Sequence, residues 1–442
     1  MFEFTDVGRH RLESFLEDLG MLLGNRPRRA SFATYALGLL SEGERKSVEP
    51  IAARASGRTE TVDAVHQRLL HFLTDSDWSD TKLRAAAAEY ALAQMTRDEP
   101  VEAWIIDDTG FIKQGNHSVG VHRQYTGSAG KVTNCQVGVS LVLATREDHL
   151  PVDFELYLPK PWADDPARRR EARIPEDVTF KTKLELALSM VAHATERGLP
   201  PGVVLADAAY GTSSEFRHDL RRRGLHYSVG VDPQTTVYEV GAAVMPGGHA
   251  TSVRELADAL QAKGRLLEHT WRQGTDRELT ASFAMQRVYP CREKAHPERE
   301  REAVWLLIEW RTGGTKPSNY FLSSLPEETS FEELVRITMQ RWRTERAYQD
   351  MKGELGLDHY EGRRYRGWHH HISVVLACYA FAVAERHRFF PLRSKAPGDT
   401  STSDVRRRRP DARMLTAGER GRRAGASPSC SQRRPRSHLG EA

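Results

Sequence analysis

VEAWIIDDTG, residues 101–110, and PGVVLADAAYG, residues 201–211, are the two stretches on which the fold turns. Each is a short apolar run rich in strand formers that ends in an aspartate, Asp107 in the first and Asp207 in the second. Between them lie NCQVGVSLVLAT (134–145) and PVDFELYLP (151–159). In the latter, Val152, Phe154, Leu156 and Leu158 alternate with Asp153, Glu155 and Tyr157, the period of a half-buried strand. The helical run KTKLELALSMVAHATERG (181–198) is stopped by Gly198 and Pro200, just before the second aspartate strand. A helix FRHDLRRRG (216–224) and a strand LHYSVGV (225–231) follow.

Three strands in series, then helix, strand, helix and strand, is the order of an RNase-H-like α/β domain. In that topology the first three strands form a meander and the later ones add parallel to the first. The fourth strand then lies beside the first. Asp107 and Asp207 are therefore expected at adjacent C-terminal strand ends, where open α/β sheets place ligand chemistry.

Outward from this core the texture changes twice. Residues 1–96 read as a helical domain that suits DNA binding, because SFATYALGLL, ETVDAVHQRLLHFL and TKLRAAAAEYALAQM carry apolar residues at helical spacing. Arg26, Arg28, Arg29, Arg45 and Lys46 sit in or beside it, as DNA contacts or as a solvated face. Residues 97–231 and 317–390 make the mixed-sheet domain. The block 232–316, with ELTASFAMQRVYP and AVWLLIEWR, reads as a β-rich insertion before a long helix expected from Ser330 into the 350s. Residues 391–442 lose all periodicity and are rich in Ser, Gly, Pro and Arg, the composition of a disordered basic tail.

Bulk composition narrows the function classes. Hydrophobic content of 39% and charged content of 28% are ordinary for a water-soluble chain. No apolar run reaches the roughly 18 residues of a membrane span, and no signal-peptide pattern opens the chain, so a cytoplasmic, nucleoid-associated location is expected. Four widely spaced cysteines without a CxxC pair point away from zinc modules and disulfide frameworks. The net charge is +4. From Arg388 onward 14 Lys and Arg face 5 Asp and Glu, or +9, which leaves −5 for the first 387 residues. DNA contact in the body must come from local basic patches.

The third informative stretch is RWRTERAYQDMKGELGLDHYEGRRYRGWHHH, residues 341–371. Arg341, Glu345, Tyr348 and Lys352 fall at i, i+4, i+7 and i+11, one stripe of a helix. A carboxylate set between an arginine and a lysine suits a site that binds metal and phosphate together; an exposed face of ion pairs is the plainer alternative. Apolar strands ending in aspartate, upstream of Arg-x3-Glu-x6-Lys, form a joint pattern more specific than any member.

With these residues the chain resembles the DDE transposases of bacterial insertion sequences, and more narrowly the insertion-sequence-701 family. The matching stretches include WIIDDTGFIKQGNHSVGVHRQYTGSAGKVTNCQVGVS, LYLPKPWADD, RIPEDVTFKTK, LADAAYG and WRQGT, and the resemblance runs from about Tyr35 to His387. The signature Tyr-x2-Arg-x3-Glu-x6-Lys is met by Arg341, Glu345 and Lys352, with Thr338 at the tyrosine position.

The resemblance implies a transposase that cuts DNA at the inverted repeats ending its element and joins the freed 3′-OH to target DNA, with a homodimer as the assembly on DNA. Breaking a phosphodiester requires charge to be neutralised on the attacking and leaving oxygens, which two cations about 4 Å apart achieve. Mg²⁺ and Mn²⁺ prefer carboxylate oxygens, so Asp107, Asp207 and Glu345 are the implied ligands of two such ions. The family pattern favours Asp107 over its neighbour Asp108. Arg341, Tyr348 and Lys352 are the implied phosphate contacts, joined by Arg123 and Lys131 in the loop beyond the first strand and by Trp271 and Arg272 in the insertion. Trp271 also reads as a core tryptophan. Arg363 and Arg364, with Arg366, Tyr360, Tyr365 and Trp368, form a basic–aromatic cluster that suits DNA or a solvated face. His369, His370 and His371 point in different directions on a helix and lack further ligands, which disfavours zinc. A cleavage-only nuclease and a non-catalytic DNA-binding protein are the alternative functions.

Overall fold

β-Branched and aromatic residues supply the paired segments, and a computed structural model describes residues 6–57, 61–240, 250–273, 278–291 and 302–389. Among these, twelve strands form one mixed sheet: β1 Ala103–Ile112, β2 His122–Thr126, β3 Lys131–Ala144, β4 His149–Tyr157, β5 Val203–Ala206, β6 Tyr227–Gly230, β7 Thr236–Glu239, β8 Thr251–Ser252, β9 Leu267–Gln273, β10 Glu278–Pro290, β11 Val304–Arg311 and β12 Asn319–Ser323. β1, β3 and β4 make an antiparallel meander, with β2 hairpinned onto the first part of β3. β5 adds parallel to β1, and β6 adds parallel to β5. β12 pairs antiparallel with β6 and carries the sheet on through β11 to β10, which β7 and β9 flank. The strands of the 232–316 block therefore extend the same sheet, and the block also holds a ten-residue helix.

The helices among the described residues are α1 Asp6–Met21, α2 Arg26–Leu40, α3 Val48–Ala55, α4 Val62–Thr74, α5 Asp80–Met95, α6 Lys160–Ala163, α7 Pro166–Ala172, α8 Lys183–Glu196, α9 Ala208–Gly211, α10 Ser214–Arg222, α11 Val253–Ala262, α12 Phe331–Thr338, α13 Trp342–Leu355 and α14 Tyr365–Phe389. α8 is started by a capping box, Thr182 and Glu185 each bonding the other's backbone N–H. The single helix expected from Ser330 is broken: Met339–Arg341 form a 3-10 turn between α12 and α13. The turn places Arg341 at the N-cap of α13. None of these helices is long and apolar enough to cross a membrane.

α14 is buried on nearly its whole circumference, as an all-round apolar helix must be. β4 and α13 pack on it from the sheet side, and α1, α2, α4 and α5 from the other. Leu12, Phe32, Leu69 and Ala88 of the N-terminal helices thus share one continuous core with Phe154, Trp368 and Phe381. Lys46 is buried there and donates from Nζ to the Leu39 and Glu354 carbonyls, which takes it out of reach of DNA. A second apolar cluster, with Ile105, Leu205, Phe283, Leu307, Leu334 and Val335, lies under α12. The tail from 391 onward lies outside the described residues.

Candidate active site

Alternation along β1 decides which side chains meet. Asp107 is not at the strand's end, as expected, but in its middle, paired with Ser140 of β3. What ends nearby is the parallel partner: β5 pairs with β1 only across Ala103–Ile105 and Val203–Leu205. Beyond Ala206 the chain turns into α9, with Asp207 as its N-cap and Asp207 Oδ1 accepting from the Ala209 N–H at 2.9 Å. The crevice that opens where β5 leaves β1 is flanked by both aspartates.

Close backbone contact fixes that turn. A Cβ on Gly211 would lie 2.2 Å from the Gly230 carbonyl oxygen and 2.6 Å from Val229 Cβ. Gly211→Ala is expected to push α9 off β6 and carry Asp207 with it. The stability cost should be about 1–3 kcal/mol from overpacking, which unfolding in urea checks.

The faces of β1 receive different helices. Asp108 points to the α8 side, where Lys183 Nζ donates to its Oδ2 at 3.0 Å and the Tyr210 hydroxyl at 3.1 Å. Asp107 and Ser140 face α13. Arg341 Nη1 donates to Asp107 Oδ2 at 3.0 Å, and its Nη2 lies 3.6 Å from Glu345 Oε1. One turn on, the Tyr348 and Ser140 hydroxyls bond at 2.6 Å. Another turn on, Lys352 Nζ donates to Thr109 Oγ1 and the Gly110 carbonyl, both at 2.9 Å, and to Ser128 Oγ at 3.2 Å. The Arg341, Tyr348 and Lys352 stripe thus lies along β1 and β3, holding the helix in register with Asp107.

Two of the expected phosphate contacts are engaged within the protein. Tyr348 is buried with its hydroxyl spent on Ser140. Lys352 has three donors and three acceptors within the protein, and burial pushes its ammonium below the usual value. Both bonds hold α13 against the sheet. Thr338, at the signature's tyrosine position, is buried and bonds Ser228 at 2.7 Å, joining α12 to β6.

Burial is the main force raising the Asp107 carboxyl, to about 7; Arg341 pulls against it, while Asp207 and Asp108 push the same way. A buried carboxyl crowded by two others is left short of positive charge even beside Arg341, and oxygen donors of this kind fit a hard divalent cation. As arranged, no group of three or more His, Cys, Asp or Glu among the described residues is close enough to hold one. The Arg341 guanidinium stands between Asp107 and Glu345 instead, and the Glu345 side chain is 60% exposed.

The other singled-out residues separate cleanly. Arg123 and Lys131 are exposed on the β2–β3 hairpin. Trp271 is half-buried against the cluster under α12, the core role, and the Arg272 side chain lies outside the described residues. The cluster around Arg363 turns inward: Tyr360 and Trp368 are buried, Arg364 pairs with Asp75, and Arg366 pairs with Asp77 at 3.2 Å. Arg363 remains exposed. The three histidines are buried with separate partners: Glu155 for His369, the Leu73 carbonyl for His370 and the Tyr35 hydroxyl for His371. Sequence reading missed Lys183, Tyr210, Ser140 and Ser128; a lysine or serine in an amphipathic run carries no signal of which strand it will meet.

Comparison with known proteins identifies the family. A family described as DDE superfamily endonuclease matches residues 18–278, and one described as transposase DDE domain matches residues 179–381. The chain is 31% identical over 202 residues to a protein of Microchaete diplosiphon named probable transposase for insertion sequence element IS701. That match takes in 46% of this chain and 48% of the relative, so the chain spans about half the length of the curated protein it matches. With the first match covering more than half of its residues, this chain belongs to the DDE superfamily endonucleases and is an enzyme.

Proposed function

We propose that the chain is a transposase of the insertion-sequence-701 type, cutting DNA at the terminal inverted repeats of its element and joining the freed 3′-OH to target DNA. What supports the reading is Arg341, which donates to Asp107 and lies 3.6 Å from Glu345, together with the charge of Asp207 bearing on Asp107. The meander of β1, β3 and β4, with β5 and β6 added parallel, supports an RNase-H-like catalytic core. Asp107, Asp207 and Glu345 would hold two Mg²⁺ or Mn²⁺ ions. Bound there, the ions supply charge neutralisation for the attacking and leaving oxygens of the phosphodiester.

The chain's own residues do the rest. Lys352 and Tyr348 lock α13 against β1 and β3, which sets the height of Glu345 above the crevice. Arg341, half-buried between two carboxylates, is placed to take a DNA phosphate when cations relieve it of that duty. The relative's name points to transposition and carries the same reading. A homodimer on DNA completes the proposal.

The test is a cleavage and strand-transfer assay on labelled element ends. Asp207→Asn should lower cleavage about a thousandfold while end binding stays near normal, and chelation of divalent ions should silence the unmodified protein. Full cleavage by Asp207→Asn would end the proposal. Cutting without joining of a pre-cut end would make the protein a nuclease alone, and DNA binding without cutting would make it a binding protein.

A further inference from the structure

The hairpin of β2 and β3 is anchored at its tip and bare along its outer face. Thr126 is buried against Gly110, where an added Cβ would stand 2.0 Å from Thr126 Oγ1. Ser128 Oγ lies 3.2 Å from Thr109 Oγ1 and accepts from Lys352 Nζ at 3.2 Å. The tip is therefore seated on β1, two to three residues past Asp107. Tyr125 and Val132 are cross-strand partners and Arg123 lies two residues from Tyr125, so the three share one face. Tyr125 is 63% exposed and Val132 52%. Arg123 and Lys131 are exposed as well.

Charge singles out this surface. From Thr109 through Thr145 the chain has no Asp or Glu, while Lys113, Arg123 and Lys131 are all basic. Acids that approach the run do so elsewhere: Glu171 lies 3.2 Å from His117, and Asp358 and Glu361 act on Lys113. This face sets an exposed tyrosine–valine pair beside an exposed arginine, while Lys131, paired with Thr126, belongs to the opposite face. The tyrosine face matches a strand that offers phosphates and a base face together.

We infer that the outer face of this hairpin holds unpaired DNA beside the crevice, with Tyr125 and Val132 stacking on a base and Arg123 taking a flanking phosphate. The inference rests on the proposed function and adds to it the form of DNA recognised. Lys352 acts through Ser128 as a positioning residue that seats the hairpin over β1.

The test uses the full chain and two fluorescent DNA probes of one sequence, a blunt duplex and the same duplex with a short single-stranded extension. The unmodified protein should bind the extended probe more tightly. Tyr125→Ala should weaken that probe about tenfold and leave the blunt duplex within about twofold, since stacking serves unpaired bases. Its thermal unfolding should not change, because the ring is exposed. Equal affinity of the unmodified protein for both probes, or unchanged binding by Tyr125→Ala, overturns the inference while leaving cleavage at Asp107 standing. A protein that neither binds nor cuts any DNA overturns the proposed function itself.

Discussion

Asp107→Asn should cut DNA cleavage by about a thousandfold or more, while Asp108→Asn, one residue away, should cost less than about tenfold. The contrast comes from the pleat of β1. Asp107 faces Arg341 and Glu345 on α13, whereas Asp108 faces Lys183 and Tyr210 on the other side of the sheet. Asparagine preserves the shape of both side chains but removes the charge that a cation or an arginine would meet. At Asp108 the lost ion pair involves a lysine side chain that is 33% exposed, and water replaces part of it. Single-turnover cleavage of a labelled element end, with circular dichroism to confirm folding, separates the two. Equal loss in both variants would mean that the faces of β1 are not distinguished in this way.

Arg84→Met should lower stability by about 3–5 kcal/mol, the largest effect expected away from the crevice. The Arg84 side chain on α5 is 2% exposed. It lies 2.8 Å from Asp80, 3.1 Å from Asp153 and 3.1 Å from Glu155, and donates to the Ser373 hydroxyl at 3.1 Å. Glu155 in turn meets His369 of α14 at 3.3 Å. Methionine keeps the volume of the stem but leaves three crowded carboxylates without their shared cation. The contact ties α5, β4 and α14 together, so its loss should loosen the N-terminal helices from the sheet. Urea unfolding measures the loss; a change under about 1 kcal/mol would show the cluster to be dispensable.

Much of this fold was legible in the chain. Alternation in PVDFELYLP and the apolar run VEAWIID announce β4 and β1, because a strand with one buried face repeats every two residues. The helical period of TKLRAAAAEYALAQM and the run KTKLELALSMVAHATERG stopped at Gly198 announce α5 and α8 for the matching reason. The three acidic positions stood out because aspartates closing apolar strands, followed by Arg-x3-Glu-x6-Lys, rarely coincide. The 3-10 turn at Met339–Arg341 was not legible, because Met339, Gln340 and Arg341 are themselves good helix formers; in the fold the turn lies against β5. The inward aromatics of the Arg363 cluster were not legible either, since composition does not say whether Tyr360 and Trp368 meet solvent or the core.

The sequence by itself determined the strand and helix periods, the acidic trio and the basic run without acids between β1 and β4. Tertiary structure alone decided which of two adjacent aspartates shares a face with α13, and that Tyr348 and Lys352 bond to β3 and β1. The physical reason is that alternation puts neighbours on opposite faces but does not say which face a helix will cover. That choice is made by α8 and α13, which lie far along the chain from β1 and meet it only when the sheet forms.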